Sequence, residues 1–247
     1  MPTEEEMRNT VIFTDQVALV TGANRGIGRQ FVEELRARGV QKIYATARRP
    51  ESIDAPGVDV LRLDLTDHES VVAAARDASD VTLLINNAGI STGTPLITGD
   101  LAGIRREMDT HFWGTLDVIR EFAPVLAANG GGSISNVLSA LSWFQAPGNG
   151  AYGVAKAAEW NMTNAVRQEL AGQNTLVQGV HLGAADTDIM AGYQGPMIHP
   201  RDVARAALDG LATGAIEVIV DDWSAMVKAS LAGDPRVFYD KLNALLG

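Results

Sequence analysis

Short apolar runs alternate with longer segments whose apolar residues recur at helical spacing. Residues 17–21, 42–47, 58–64, 81–86, 133–138, 177–182 and 216–220 are predicted as strands. The fourth is apolar nearly throughout, as a strand covered on both faces should be. Between them the pattern predicts helices over 27–38, from Thr66 to about residue 78, over 101–128, over 151–171 and from Arg201 to about residue 213. Punctuation agrees with this division. Gly39 and Gly172 close the first and fourth helices, and Thr66 with Glu69 forms a capping box for the second. Pro124 bends the last turns of the third before Gly130-Gly131-Gly132 ends it, and Pro200 opens the fifth. Strands separated by helices of this length imply right-handed crossovers and a parallel sheet with helices on both faces. With no repeat and no shift in composition, residues 16–247 are predicted as one domain behind a flexible arm over residues 1–15.

Composition narrows the setting. A chain of 247 residues, 46% hydrophobic and 20% charged, suffices for one large globular core. The absence of cysteine rules out disulfides, thiol catalysis and cysteine-ligated zinc, and suits a cytoplasmic location. The acidic start, Met1-Pro2-Thr3-Glu4-Glu5-Glu6, has no apolar core and is not a signal peptide, and no apolar run approaches membrane-span length. A formal charge of −10 argues against nucleic acid or an anionic membrane as partner. An anionic ligand must therefore be met by locally clustered positive charge. His68, His111, His181 and His199 show no metal-ligand spacing, so no metal site is expected.

The candidate chemistry begins at Thr21-Gly22-Ala23-Asn24-Arg25-Gly26-Ile27-Gly28, between a strand and a helix. There Gly22 lets the chain reverse, Gly26 lets backbone approach a diphosphate, and Gly28 lets helix and strand pack closely. The first-turn amides of the helix then face an anion.

Further along stand Asp64, Asn86-Asn87-Ala88-Gly89, Ser139, and Tyr152 with Lys156. In this order and spacing, and over nearly the whole chain after residue 15, the sequence resembles the short-chain dehydrogenase/reductase family. The resemblance implies an α/β single-domain, Rossmann-like doubly wound parallel sheet of about seven strands in the order 3-2-1-4-5-6-7. It also implies a small-molecule carbonyl or alcohol substrate and a homodimer or homotetramer; Trp113 and Trp160 are separate candidates for a subunit contact.

Tyr152 and Lys156, four residues apart on one helix, share a face. A nearby ammonium, with the positive nicotinamide ring of an oxidised cofactor, favours phenolate and so lowers the tyrosine pKa. Tyr152 can then donate a proton to a carbonyl oxygen as hydride arrives, or remove one in reverse. Lys156 also reaches the nicotinamide ribose, and Ser139 orients the substrate oxygen.

The second strand ends Ala45-Thr46-Ala47-Arg48-Arg49, without the acid that an NAD-preferring enzyme places there. NADP(H) is therefore the expected cofactor, with Arg48 on its 2′-phosphate and Arg25 assisting. By resemblance, Asp64 contacts the adenine amino group, Thr187 holds the carboxamide, and Asn87-Ala88-Gly89 passes close to the cofactor. Asn24, Ile27, Leu65 and Gly183 complete the expected cofactor set.

Two departures stand out. By resemblance, judged from the following Phe112-Trp113-Gly114, His111 occupies the place where the family usually carries a water-binding asparagine beside the catalytic lysine, so a titratable ring replaces a neutral amide on the proton path. Leu182-Gly183 replaces proline-glycine, which affects loop stiffness. By position, Trp143, Phe144, Met190, Tyr193 and Met197 line the substrate pocket or, alternatively, a subunit contact. Segment 188–199, a candidate lid, has no Lys or Arg, which favours a neutral apolar ketone or aldehyde. The alternatives are a reductase of a carrier-bound 3-oxoacyl substrate and a cofactor-binding sensor without turnover. A sugar-nucleotide epimerase is disfavoured, because it normally needs a longer carboxyl-terminal substrate domain.

Overall fold

The structure, a computed structural model, describes residues 10–246. Its centre is a parallel seven-stranded sheet: β1 (Val17–Val20), β2 (Lys42–Ala47), β3 (Asp59–Arg62), β4 (Leu83–Asn86), β5 (Gly132–Val137), β6 (Thr175–His181) and β7 (Glu217–Ile219). The order is β3-β2-β1-β4-β5-β6-β7, as the family resemblance implies. Register follows from alternation. Ala18 and Val20 of β1, with Leu83 and Ile85 of β4, enter one core. Leu19 and Leu84 enter the other. A one-residue slip would exchange the two sets.

Helices α1 (Gly26–Ala37) and α6 (Pro200–Ala212) cover the first face through Phe31, Leu35, Val203, Leu208 and Leu211. Helices α2 (His68–Asp77), α4 (Thr115–Ala128) and α5 (Gly150–Leu170) cover the second through Val71, Phe122, Leu126, Met162 and Val166. No helix among the described residues is long and apolar enough to cross a membrane.

Several local expectations are corrected. The cap of α2 is Asp67, whose carboxylate accepts from the Ser70 N–H, rather than a Thr66–Glu69 box; Thr66 instead bonds Asp64. Helix α5 ends in a 3-10 turn, and Asn174 at φ +57°, not Gly172, takes the left-handed position. The long helix expected over 101–128 divides into α3 (Leu101–Met108), a π turn (Asp109–Gly114) and α4, which continues through Pro124 to Ala128. Of the expected arm, residues 1–9 lie outside the described ones. The remainder is seated, with Phe13 buried in the first core and the Val11 N–H donating to Leu211 O at 3.2 Å. Two helices unforeseen in the sequence follow β7: α7 (Asp222–Ser230) and α8 (Pro235–Leu246). With Phe144 and Ala140 they close a small third core around Val227 and Leu242.

Candidate active site

At the end of β1 the Thr21 hydroxyl accepts from the N–H groups of Asn87 (2.9 Å) and Ala88 (3.0 Å). The Asn87 amide donates back to Thr21 O at 3.0 Å. These bonds fasten the turn after β4 against the glycine turn after β1. Gly22 has φ +65°, and a Cβ there would stand 2.9 Å from Ala88 Cα, so glycine is required on both counts. Helix α1 begins at Gly26 with no side chain capping it, which leaves its first-turn amides directed at an anion. Glycine turn, uncapped helix start and adjoining cleft together fit a dinucleotide diphosphate.

A cleft of about 440 Å³ runs along the carboxyl edge of the sheet. Gly22, Asn24, Arg25, Gly26, Ile27, Arg48, Asp64, Leu65, Asn87, Ala88, Gly89, Gly183 and Thr187 line it, with His111, Ser139, Tyr152, Lys156 and Met190. Gly28 lies behind the wall, where a Cβ would strike Gly22 O at 2.1 Å. Asp64 accepts from Thr66 N–H (3.0 Å) and Oγ1 (2.8 Å). The Gly183 N–H donates to Asp221 at 2.7 Å. Arg25 is held by Asp188 of the candidate lid at 2.7 Å. Arg48 and Arg49 are exposed at the rim, and among the described residues neither has a carboxylate at ion-pair distance.

Tyr152 and Lys156 sit on the first turns of α5, facing the end of β5. Lys156 Nζ donates to Val137 O (2.8 Å) and Glu159 Oε2 (2.7 Å). Tyr152 and Ser139 both line the cleft, and the Ser139 side chain acts to lower the Tyr152 phenol pKa. The Ser139 Oγ accepts the Leu141 N–H at 3.1 Å, which leaves its own proton free to donate. Burial raises the Tyr152 phenol pKa and Glu159 adds to this, outweighing the lowering by Lys156. Lys156 acts in the direction expected from the sequence, and in the protein without cofactor burial and Glu159 outweigh it. Burial pulls the Lys156 ammonium down, but Glu159 more than reverses it and the group stands above its ordinary value.

His111 is carried on the π turn, a one-residue insertion that recurs at functional sites. Its ring is buried. Nε2 lies 2.9 Å from Ile90 O and 3.3 Å from Glu107, and Nδ1 lies 3.7 Å from Glu159. Gly89 makes this possible, since a Cβ there would stand 2.6 Å from His111 Cε1. Glu107 is buried and accepts from the Thr92 N–H at 2.5 Å. Burial would raise its carboxyl pKa, but the His111 and Thr92 hydrogen bonds overcome that and hold it low.

Four expected pocket residues are elsewhere. Trp143 stacks on His181, centroids 3.8 Å apart, and Phe144 packs between Trp223 and Phe238. The 3-10 turn Ala140–Ser142 redirects the chain, and the apolar faces of α7 and α8 claim both rings. Tyr193 is 44% exposed, and neither it nor Met197 lines the cleft. Trp160 faces Trp143 edge-on at 6.3 Å. Sequence reading missed Arg49 and Ser52, adjacent to Arg48 in the chain and therefore legible. It also missed Arg106, Ile189 and the two carboxylates Glu107 and Glu159, which only packing reveals. Away from the cleft, at the surface, His68, Asp117 and Glu121 bring ligating atoms within 4.8 Å of one another, a proximity that linear spacing does not show.

A parallel α/β sheet with a glycine turn and a Ser, Tyr and Lys cluster at its carboxyl edge defines a nucleotide-cleft protein of the dehydrogenase class. Residues 16–195 match the short chain dehydrogenase family, and the chain belongs to it. A short chain dehydrogenase from Burkholderia cenocepacia, solved in complex with NADP, is 36% identical with a TM-score of 0.90, covering 94% of this chain and 99% of that one. The NADPH-dependent 1-acyldihydroxyacetone phosphate reductase of Schizosaccharomyces pombe is 32% identical over 74% of this chain, which spans 64% of that protein's length. The trans-4-hydroxycyclohexanecarboxylate dehydrogenase of Sinomonas cyclohexanicum is 30% identical over 89% of this chain and 92% of that one.

Proposed function

We propose that this chain is an NADPH-dependent oxidoreductase that reversibly reduces a neutral, apolar ketone or aldehyde to the alcohol. The observation that carries this reading is the convergence of Ser139, Tyr152 and Lys156 on the cleft that the glycine turn opens. The exposed Arg48 and Arg49 at its rim support a 2′-phosphate in the cofactor, as do the NADP in the Burkholderia structure and the NADPH dependence of the yeast reductase. The lid contributes the apolar Ile189 and Met190 to the cleft, which suits an uncharged substrate.

The bound cofactor supplies hydride. Tyr152, as acid, gives its hydroxyl proton to the carbonyl oxygen, while Ser139 donates a hydrogen bond to the same oxygen and fixes its direction. An ammonium has three N–H donors. Two of those on Lys156 are taken by Val137 O and Glu159, and the third serves the nicotinamide ribose. Asp64 and Thr187 hold the adenine and carboxamide ends. The same reading places the protein in the cytoplasm as a homodimer or homotetramer, which analytical ultracentrifugation tests. The deciding experiment follows NADPH oxidation against a panel of aldehydes and ketones. Turnover of apolar carbonyls, faster with NADPH than NADH, is expected; no turnover with any member overturns the proposal.

A further inference from the structure

Behind the tyrosine lies a cluster of four buried ionisable groups, more than the reaction itself calls for. Lys156, Glu159, His111 and Glu107 are each at most 5% exposed. They form one chain of contacts. Lys156 Nζ lies 2.7 Å from Glu159 Oε2, that same oxygen lies 3.7 Å from His111 Nδ1, and His111 Nε2 lies 3.3 Å from Glu107 Oε2. Burying an unpaired carboxylate is costly. Two of them beside one histidine and one lysine therefore belong to a single electrostatic unit.

We propose that Glu159, backed by Glu107, is a positioning residue for the proton-transfer pair. It clamps the Lys156 ammonium against Val137 O and keeps Tyr152 in its protonated, acid form at neutral pH. This setting suits carbonyl reduction over alcohol oxidation, and it rests on the carbonyl-reduction reading above.

The geometry explains why. A lone ammonium beside a phenol stabilises the phenolate and eases loss of the proton. Here a carboxylate at 2.7 Å offsets that ammonium, so the phenol sees a compensated pair. Glu159 and Glu107 both act on Tyr152 in the direction of proton retention. The other groups around the pair do not reverse this. Ser139, after β5, is uncharged. His181, on β6, has a pKa pushed down to about 4 by burial, so it is neutral at ordinary pH. Lys228 bears on His181, and Arg106 stands on the cleft wall. His111 is the fourth member of the chain itself. Removing a negative charge eases loss of the first proton from the Tyr152–Lys156 pair whichever group releases it. The direction of the effect therefore needs no microscopic assignment.

The test is an ultraviolet titration of tyrosinate in the full-length protein. Tyr152 is isolated by subtracting a matching Tyr152→Phe protein in wild type, Glu159→Gln and Glu159→Asp. The expected result is a Tyr152 midpoint at lower pH in Glu159→Gln, with a several-fold larger tyrosinate fraction at a fixed alkaline pH. In Glu159→Asp, which keeps the charge, the midpoint returns toward wild type. The pH profile of carbonyl reduction in Glu159→Gln should lose its alkaline side earlier by the same interval. An unchanged midpoint, or one at higher pH, overturns the proposal. Should Glu159→Gln fail to fold, Glu107→Gln provides the same decision, with a smaller shift of the same sign expected. The titration needs no substrate. Absence of turnover against every carbonyl would thus overturn the proposed function while the titration still decides this inference.

Discussion

His111 and Tyr152 meet edge to face, with ring centroids 5.4 Å apart and planes at 90°. The imidazole thus packs against the proposed acid while pairing with Ile90 O and Glu107 on its other side. Removing one partner of a buried pair strands the other. His111→Ala is expected to cost about 3 kcal/mol in urea denaturation, and a loss below about 1 kcal/mol would show that Glu107 finds another donor. His111→Asn, which restores a donor, is expected to stay active. Loss of turnover in His111→Asn would give the imidazole a role beyond packing.

Tyr152→Phe removes the transferable proton and little else. Turnover is expected to fall at least about a hundredfold, the scale of general acid catalysis, while NADPH binding, followed by fluorescence, stays within a few-fold. Activity close to wild type would remove Tyr152 from the mechanism. Lys156→Ala should damage both turnover and cofactor affinity, since the ammonium serves both; damage to neither would exclude it from the site.

Arg48 is exposed at the rim with no carboxylate at ion-pair distance among the described residues, whereas Arg25 is already paired with Asp188. Arg48→Ala is therefore expected to erase most of the preference for NADPH over NADH, a loss of about 1.5–3 kcal/mol for a charge-assisted contact. The measurement is kcat/KM with each cofactor. Equal effects on both would pass the role to Arg49, its neighbour on the same cleft wall.

His181 gives the fold a specific acid sensitivity. Burial lowers its pKa from the ordinary 6.5 to about 4. Between those values the unfolded chain binds a proton that the folded chain refuses, so acidification favours unfolding. Across that interval the loss amounts to about 3 kcal/mol. Urea denaturation at a series of pH values is expected to show this slope in wild type and its removal in His181→Gln. An unchanged slope in the variant would assign it to other groups.

The features legible in the chain were those with a local cause. Alternating burial along β1 and β4 follows from a period of two, and each strand's apolar run marks it as covered on both faces. Tyr152 and Lys156 share a face because four residues make about one helical turn, and the glycine turn announces itself because no other residue fits at Gly22. Arg48 and Ser139 could be placed at strand ends for the same reason, and Thr187 came from the family resemblance. They come from different elements, and folding brings them to one cleft.

What only the tertiary structure decided depends on neighbours far apart in sequence. A glutamate on a helix reads as a solvated charge, and nothing local says that Glu107 and Glu159 are buried. Their burial is set where α3, the π turn and α5 meet, with His111 between them. The π turn itself changes register by one residue and leaves the helical pattern otherwise intact. Trp143 and Phe144 pointed toward a pocket in the linear order, but the third core formed with α7 and α8 was a cheaper place to bury them. Periodicity fixes which face of an element is apolar, but the partner that covers it, and the charge state it imposes on a buried group, belong to the packing of the whole chain.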